Sequence, residues 1–390
     1  MSQKSRITSE VDFGRDGKQQ GFLRLPHSVH RSAYGWIPIP IIVIKHGTGP
    51  TVLLTAANHG DEYEGQIALM KLCRELQPKD VRGRLIILTA TNYPAAIAGT
   101  RTSPIDGGNL NRSFPGEPDG RPTQAIAHYV ESELLSRADF VIDLHSGGSS
   151  LMYLPSALVG RVSDPELAAQ QLEMLKAFAA PIGYVGASGG ADLTLLSGAE
   201  RAGVPGIGTE LGGAGSTSVH SLQVAERGVR RVLKYLGAVP DMDVGPEPPP
   251  SRIVHVGGNE YFVYSPDYGI WEPLAELGDE VQAGQPAAAV HSQQTPWREP
   301  VVANFLRSGT VLCKRVPGGV QRGDCLYHLA TDEEPADFLA VFGGVEGQQG
   351  LSYRIQLFLY GTLFHLVQNL PGGRGSLVCF IEIGSCVCRL

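Results

Sequence analysis

The feature that most constrains this chain is an apolar run that ends in a histidine and a carboxylate. Residues 51–55 (TVLLT) are followed by His59 and Glu62, and a second run, residues 140–144, leads directly into His145. Two imidazole nitrogens and one carboxylate oxygen fill three positions of a tetrahedral zinc site and leave the fourth open to water. The pattern therefore predicts a metal centre of the catalytic kind.

Four apolar runs of strand length alternate with helical patterns. The runs cover residues 51–56, 84–90, 139–144 and 204–209, and the helical periodicity covers 63–77, 122–137 and 164–179. Strands that alternate with helices predict an α/β fold whose sheet has a parallel core and helices on both faces. Polar side chains follow all four runs, and open α/β sheets collect their ligands at that edge.

The second part of the chain has a different sequence pattern. Residues 241–250 are rich in proline and acid and are expected to be a linker that ends a catalytic domain of residues 1–240. Short strand-like pieces with Gly-Asp turns at Gly278 and Gly323 predict a small all-β domain over 251–331, resembling a lipoyl-type sandwich barrel. No lysine stands at a hairpin tip, so a carrier function is not expected. Residues 332–390 receive no assignment.

Composition excludes several classes of function. The net charge is −7 and no basic cluster stands out, so no nucleic-acid partner is expected. The N-terminus is polar, and the apolar stretch at 351–370 is interrupted by charged and amide side chains, so no signal peptide and no membrane partner are expected. Six scattered cysteines suit a reduced, cytoplasmic protein. Homo-oligomer formation stays open.

Structural roles for the histidines are the alternative to a metal site. A histidine after a strand is commonly a hydrogen-bonded core or surface residue, and His27 and His30 form a rival pair in a polar loop. Placement at strand ends favours His59 and His145. Asp143, two residues before His145, is expected to accept a hydrogen bond from a ligand histidine.

Four ordered motifs resemble those of the succinylglutamate desuccinylase/aspartoacylase family. They are His59-x-x-Glu62, residues 101–116 (RTSPIDGGNLNRSFPG), residues 143–148 (DLHSGG) and residues 208–210 (GTE). The resemblance covers roughly residues 10–331. It implies the mixed, largely parallel sheet of zinc carboxypeptidases. Within the family, residues 13–19, 58–65 and 100–106 are most similar to the N-alpha-acetyl-L-2,4-diaminobutyrate deacetylases of ectoine degradation.

The resemblance also implies a role for each matched residue. His59, Glu62 and His145 would bind one Zn2+ per subunit, and Glu210 would be the catalytic carboxylate. Substrate carboxylate and carbonyl groups would be held by Arg101, Asn111 and Arg112. Arg112 or Arg101 would stabilise the oxyanion, and Arg112 is therefore counted among the catalytic residues. Asn109 would join them, although aspartoacylases proper carry aspartate there.

Three functions follow in decreasing order of expectation. The first is zinc-dependent deacylation of a small N-acyl amino acid, with N-alpha-acetyl-L-2,4-diaminobutyrate expected and a succinylglutamate desuccinylase or aspartoacylase as alternative. The second is a metallocarboxypeptidase, which a cleft covered by the β domain would oppose. The third is a non-catalytic binding protein, which the presence of Glu210 and all three ligands opposes.

Overall fold

A computed structural model describes residues 5–186 and 193–333 of the chain, together with the backbone of four strands between residues 357 and 389. The chain divides into two compact units, residues 1–339 and residues 340–390. The first unit contains every residue that the sequence analysis singled out for chemistry.

The first unit is built from strands and helices that alternate through its first two thirds and from strands alone thereafter. Its strands are β1 (Thr8–Ser9), β2 (Gly17–Pro26), β3 (Trp36–His46), β4 (Thr51–Ala56), β5 (Gly83–Leu88), β6 (Phe140–Leu144), β7 (Leu151–Tyr153), β8 (Ser156–Gly160), β9 (Ile182–Gly186), β10 (Gly206–Glu210), β11 (Arg252–Val256), β12 (Phe262–Tyr264), β13 (Gly269–Pro273), β14 (Glu280–Val281), β15 (Pro286–His291), β16 (Val301–Asn304), β17 (Gly309–Arg315), β18 (Gly319–Val320) and β19 (Cys325–Asp332). Its helices are α1 (Glu64–Glu75), α2 (Tyr93–Ala98), α3 (Pro122–Tyr129), α4 (Pro165–Phe178), α5 (Leu195–Arg201) and α6 (Val219–Tyr235).

A mixed sheet runs through the unit in the order β1-β2-β3-β5-β4-β6-β10-β8-β9-β11-β19-β17-β14. The four strands β5, β4, β6 and β10 are parallel to one another, as the apolar runs predicted. Helix α6 contacts both α1 and α4 on one face, and α3 and α5 help to build the apolar core of the other. The expected α/β class, with helices on both faces, is confirmed.

Two details differ from the expectations. The helix predicted over 122–137 is α-helical only to Tyr129, after which a π turn and a short 3₁₀ turn complete it. The fourth predicted strand begins at Gly206 rather than at Val204, because the Val204 amide donates to the Ala199 carbonyl (2.9 Å) and so closes the end of α5. The long β2–β3 hairpin at the antiparallel edge was not predicted.

The later strands form a sandwich joined to the large sheet. Strands β16, β15, β13 and β18 make a separate four-stranded sheet, and β19 pairs with β11 on one side and with β17 on the other. The two Gly-Asp turns have the same construction. Asp279 accepts from the Glu276 amide (2.8 Å) and Asp324 from the Gln321 amide (3.0 Å), each carboxylate bonding the residue three positions earlier. The predicted small β region is thus present, and β19 joins it to the large sheet through its pairing with β11.

The second unit contains a four-stranded antiparallel meander. Its strands are β20 (Leu357–Tyr360), β21 (Leu363–Asn369), β22 (Ser376–Glu382) and β23 (Ser385–Arg389). Residues 334–356 of the unassigned tail lie outside the described residues, as does the first part of the apolar stretch at 351–370. Among the helices of the described ranges, none is long and apolar enough to cross a membrane.

The packing of α6 against α4 depends on a glycine. A Cβ atom added at Gly228 would lie 2.3 Å from Cε1 and Cζ of Phe178, a fully buried ring. We expect Gly228→Ala to lower the free energy of unfolding by about 1–3 kcal/mol, because overpacking at a rigid neighbour outweighs the better helix propensity of alanine. Denaturant unfolding measures it. Gly318→Ala is the matched control, since its Cβ would meet nothing within 4 Å; equal stability of the two variants would contradict this account.

Candidate active site

The carboxyl ends of the parallel strands bring the predicted residues together. Residues 57–63 connect β4 to α1 and carry His59 and Glu62, while His145 directly follows β6 and Glu210 ends β10. The polypeptide around His145 is fixed by Thr209 of the neighbouring strand, whose hydroxyl accepts from the His145 amide (2.9 Å) and donates to its carbonyl (3.0 Å). Adjacent parallel strands thus set the spacing of the site.

His59, Glu62 and His145 are buried side by side, and one ligand atom from each lies within 4.8 Å of the others. Nδ1 of His59 is 2.7 Å from Oε1 of Glu62, and Nδ1 of His145 is 2.8 Å from Oε2 of the same carboxylate. Two imidazole nitrogens and a carboxylate are the donor set of a catalytic zinc site. The residues therefore fit a divalent metal ion bound by both histidines through Nδ1.

The opposite nitrogen of each imidazole has its own acceptor. Nε2 of His59 lies 3.0 Å from Oδ1 of Asn109, and Nε2 of His145 lies 2.9 Å from Oδ2 of Asp143. Such contacts fix the tautomer and the ring orientation of metal-binding histidines. The structure places Asn109 against His59, behind the proposed metal site, and its assignment to the substrate-binding group stays a prediction.

Asp143 is itself held in place. Its carboxylate accepts from the Thr55 hydroxyl (2.7 Å) and from the Asn58 amide group at 2.8 and 2.9 Å. These two partners were missed in the sequence analysis. For Asn58, the signal in the sequence was its position directly before the predicted ligand His59.

The charges of Glu62 and His145 affect each other's pKa. Burial would raise the pKa of Glu62, but the two neighbouring imidazoles outweigh it and lower that pKa to about 2. Burial opposes protonation of His145, whereas Asp143 and Glu62 raise its pKa well above the ordinary value. The carboxylates thus keep enough negative charge to demand positive charge at the centre, which protons or a metal ion provide.

Glu210 faces this centre in a different environment. Its Oε2 atom is shielded from solvent and has no hydrogen-bond partner among the described residues. Burial, with the charge of Glu62, raises the pKa of Glu210 to about 8, against the opposing effects of His145 and Arg101. A carboxylate of raised pKa beside a metal site is suited to accept and return protons near neutral pH.

Two arginines and an amide border the open side. Nη1 of Arg101 is 3.5 Å from Oε1 of Glu62, and its side chain is 44% exposed, so it can reach into the cavity. Desolvation and the charge of Arg101 lower the pKa of Arg112, a conflict that a bound carboxylate would relieve. Asn111 is oriented by the Leu195 amide (2.9 Å), and its Nδ2 lies 3.4 Å from Nε2 of His145.

The remaining candidates lie outside the metal cluster. Asp61 accepts from the amide and hydroxyl of Ser149 (2.7 and 2.8 Å) and so anchors the loop after His145. Glu64 is buried behind the site, and burial raises its pKa. His27 and His30 lie between β2 and β3, outside the histidine and carboxylate cluster.

A cavity of about 840 Å³ opens in front of these groups. Its far wall contains aromatic side chains and a histidine from β7, β9, β12 and β19, which the sequence analysis missed because no motif connects them. They are Tyr153, Tyr184, Phe262 and His328. The cavity is therefore shared between the α/β part of the unit and the β sandwich.

We expect Asn109→Ala to weaken metal binding by about 10- to 100-fold, because Nε2 of His59 loses its acceptor and the ring its fixed orientation. Competition between the protein and a chromophoric chelator for Zn2+ measures the change. Asn259→Ala, at an exposed position of the β region, is the matched control. Equal Zn2+ affinity in both variants would show that Asn109 does not orient the ligand.

Comparison with known proteins connects this geometry to a family. The model of the succinylglutamate desuccinylase/aspartoacylase catalytic domain matches residues 48–236. N-alpha-acetyl-L-2,4-diaminobutyric acid deacetylase of Halomonas elongata is 42% identical over 327 residues, which cover 84% of this chain and 95% of that protein.

Solved structures agree. The ectoine utilization protein EutE (DoeB) of Ruegeria pomeroyi, in a product-bound structure, is 41% identical with a TM-score of 0.80 and covers 84% of this chain and 100% of its own. A succinylglutamate desuccinylase/aspartoacylase of Rhodobacter sphaeroides is 39% identical with a TM-score of 0.79, covering 85% of this chain and 100% of its own. The family that the four motifs predicted is confirmed, and this chain belongs to the succinylglutamate desuccinylase/aspartoacylase family of hydrolases.

Proposed function

We propose that this protein is a zinc-dependent deacetylase that hydrolyses the amide bond of N-alpha-acetyl-L-2,4-diaminobutyrate and releases acetate and the free diamino acid. The observation that carries the proposal is the convergence of His59, Glu62 and His145 next to Glu210. The relatives from Halomonas elongata and Ruegeria pomeroyi support this substrate and a place in ectoine degradation.

An amide is a poor electrophile and water is a poor nucleophile, so the site must improve both. Zn2+ bound by His59, Glu62 and His145 would polarise the acyl carbonyl and acidify a water molecule. Glu210 accepts the proton of the attacking water and returns it to the nitrogen of the departing amine. Its partly desolvated carboxylate, shielded on Oε2, is the suitable base for this double transfer.

The substrate is oriented by charge and by directed hydrogen bonds. One of the two arginines, Arg101 or Arg112, binds the α-carboxylate through a two-pronged contact, and the other stabilises the oxyanion. Asn111 donates from Nδ2 to the same substrate groups, because its Oδ1 is occupied by the Leu195 amide.

The β region 251–331 limits the size of the substrate. Val256, Gly257, Phe262 and His328 close one side of the cavity, while the catalytic residues close the other. A small N-acyl amino acid fits a cavity of about 840 Å³ that is bounded on both sides. Action on larger peptides, as by a metallocarboxypeptidase, is disfavoured. The cytoplasmic location and the oligomeric state stay predictions.

An amine-release assay on a panel of substrates tests the function. We expect N-alpha-acetyl-L-2,4-diaminobutyrate to be hydrolysed at a higher kcat/KM than N-acetylaspartate, N-succinylglutamate or a C-terminal dipeptide. Glu210→Gln, with the same size and Zn2+ content, should lower kcat by about 10²- to 10⁴-fold, because the proton acceptor is lost. Preference for the dipeptide would refute the proposal, and full activity of Glu210→Gln would refute the role of that carboxylate.

The rate should depend on pH through the same group. Glu210 acts as a base only when ionised, so kcat/KM is expected to fall as pH is lowered through its pKa. Because a bound divalent cation stabilises the carboxylate, this pKa in the Zn2+ enzyme should lie below the value of about 8 set by burial and Glu62. A pH profile of kcat/KM measures it. An acid limb that persists unchanged in Glu210→Gln would assign the titration to another group.

A further inference from the structure

The far wall of the cavity contains a histidine without a hydrogen-bond partner. His328 of β19 is 4% exposed, and neither ring nitrogen has a partner among the described residues. Its ring stacks on Phe262 with centroids 4.4 Å apart. Tyr153 and Tyr184 meet the same ring edge-on at 6.0 and 6.1 Å. We call these four side chains the aromatic box; all of them line the cavity.

An unpaired buried imidazole costs free energy, so its presence requires an explanation. Burial lowers the pKa of His328 to about 4, and the ring is therefore neutral at physiological pH. A neutral imidazole has one N–H donor and one lone pair, and here both are unused. The imidazole thus keeps an unpaired acceptor nitrogen, shielded from bulk solvent, among aromatic rings that line the cavity.

The charge around the aromatic box selects the sign of its ligand. Burial and the negative charge of Glu210 both raise the pKa of Tyr184, and the same two effects contribute for Tyr153, so both hydroxyls stay protonated. Arg161, which also lines the cavity, already pairs with Glu333. Once Glu210 is ionised, as a cation bound at the metal site favours, a second carboxylate on the substrate would be repelled here, whereas a positively charged group would be attracted.

We infer that the aromatic box is the subsite for the positively charged amino group at the end of the substrate side chain. The ammonium donates a hydrogen bond to the lone pair of His328, and the neighbouring aromatic rings add cation–π attraction. This inference rests on the proposed function, since it places the acetylated α-nitrogen at the metal site. It makes His328 a specificity-determining residue that separates basic from acidic N-acyl amino acids.

Two substrates that differ only in the terminal amine test the subsite. The ratio of kcat/KM for N-alpha-acetyl-2,4-diaminobutyrate to that for N-acetyl-2-aminobutyrate is measured in the wild-type enzyme and in His328→Phe. We expect the ratio to fall by about 10- to 100-fold, as removal of a hydrogen bond to a charged group predicts. Phe262→Leu keeps His328 and removes the ring that stacks on it, so it should lower the ratio less than His328→Phe does. His291→Phe, at an exposed histidine paired with Glu272, is the matched control.

Calorimetric titration with free 2,4-diaminobutyrate and 2-aminobutyrate separates the subsite from the reaction. Tighter binding of the diamino acid to the wild-type enzyme, lost in His328→Phe, supports the subsite. If neither acetylated substrate is hydrolysed, that result refutes the proposed function but leaves the subsite standing. Equal kcat/KM for both substrates in the wild-type enzyme would overturn the subsite and leave deacetylation intact. An unchanged ratio in a folded His328→Phe or Phe262→Leu variant would also overturn it.

Discussion

One buried carboxylate organises the site. Glu62 contacts Nδ1 of both His59 and His145, and it is buried away from most of the water that could stabilise its charge. A buried anion of this kind is tolerated only when positive charge is supplied at short range. Its two oxygens thus define a place for a cation between the imidazoles. Every other polar group of the site is arranged with respect to that place.

The sheet provides the rigidity that this arrangement needs. His145 is fixed by Thr209 of the next parallel strand. Asp143 is fixed by Thr55 of the strand on the other side and by Asn58, which follows that strand. Hydrogen bonds between three adjacent strands therefore set the distances inside the metal centre. Because protein interiors are close-packed, a shift of one strand would be transmitted to the ligands. The geometry around His145 therefore depends on the sheet, whereas His59 and Glu62 lie on the connection between β4 and α1.

Local patterns in the sequence contain much of this information. The apolar runs locate the parallel strands, because a strand buried on both faces is largely apolar. The residues directly after each run are the candidate site residues, because such sheets bind ligands at the carboxyl ends of their strands. The two Gly-Asp turns are equally local, since each depends on an aspartate that bonds the chain three residues back. These features could be predicted because their cause lies within a few residues.

The features that could not be predicted depend on tertiary contacts. Asn109 looks like one more polar residue of a substrate loop, and only its distance from Nε2 of His59 reveals its position behind the metal site. Tyr153, Tyr184 and His328 come from three strands that are far apart in the sequence, and both tyrosine rings contact that of His328 on one wall of the cavity. Strand β19 pairs with β11 of the catalytic sheet and with β17 of the sandwich. The wall that carries His328 is accordingly part of the same hydrogen-bonded sheet as the strands before His59 and His145, so the distance between them is set by backbone pairing.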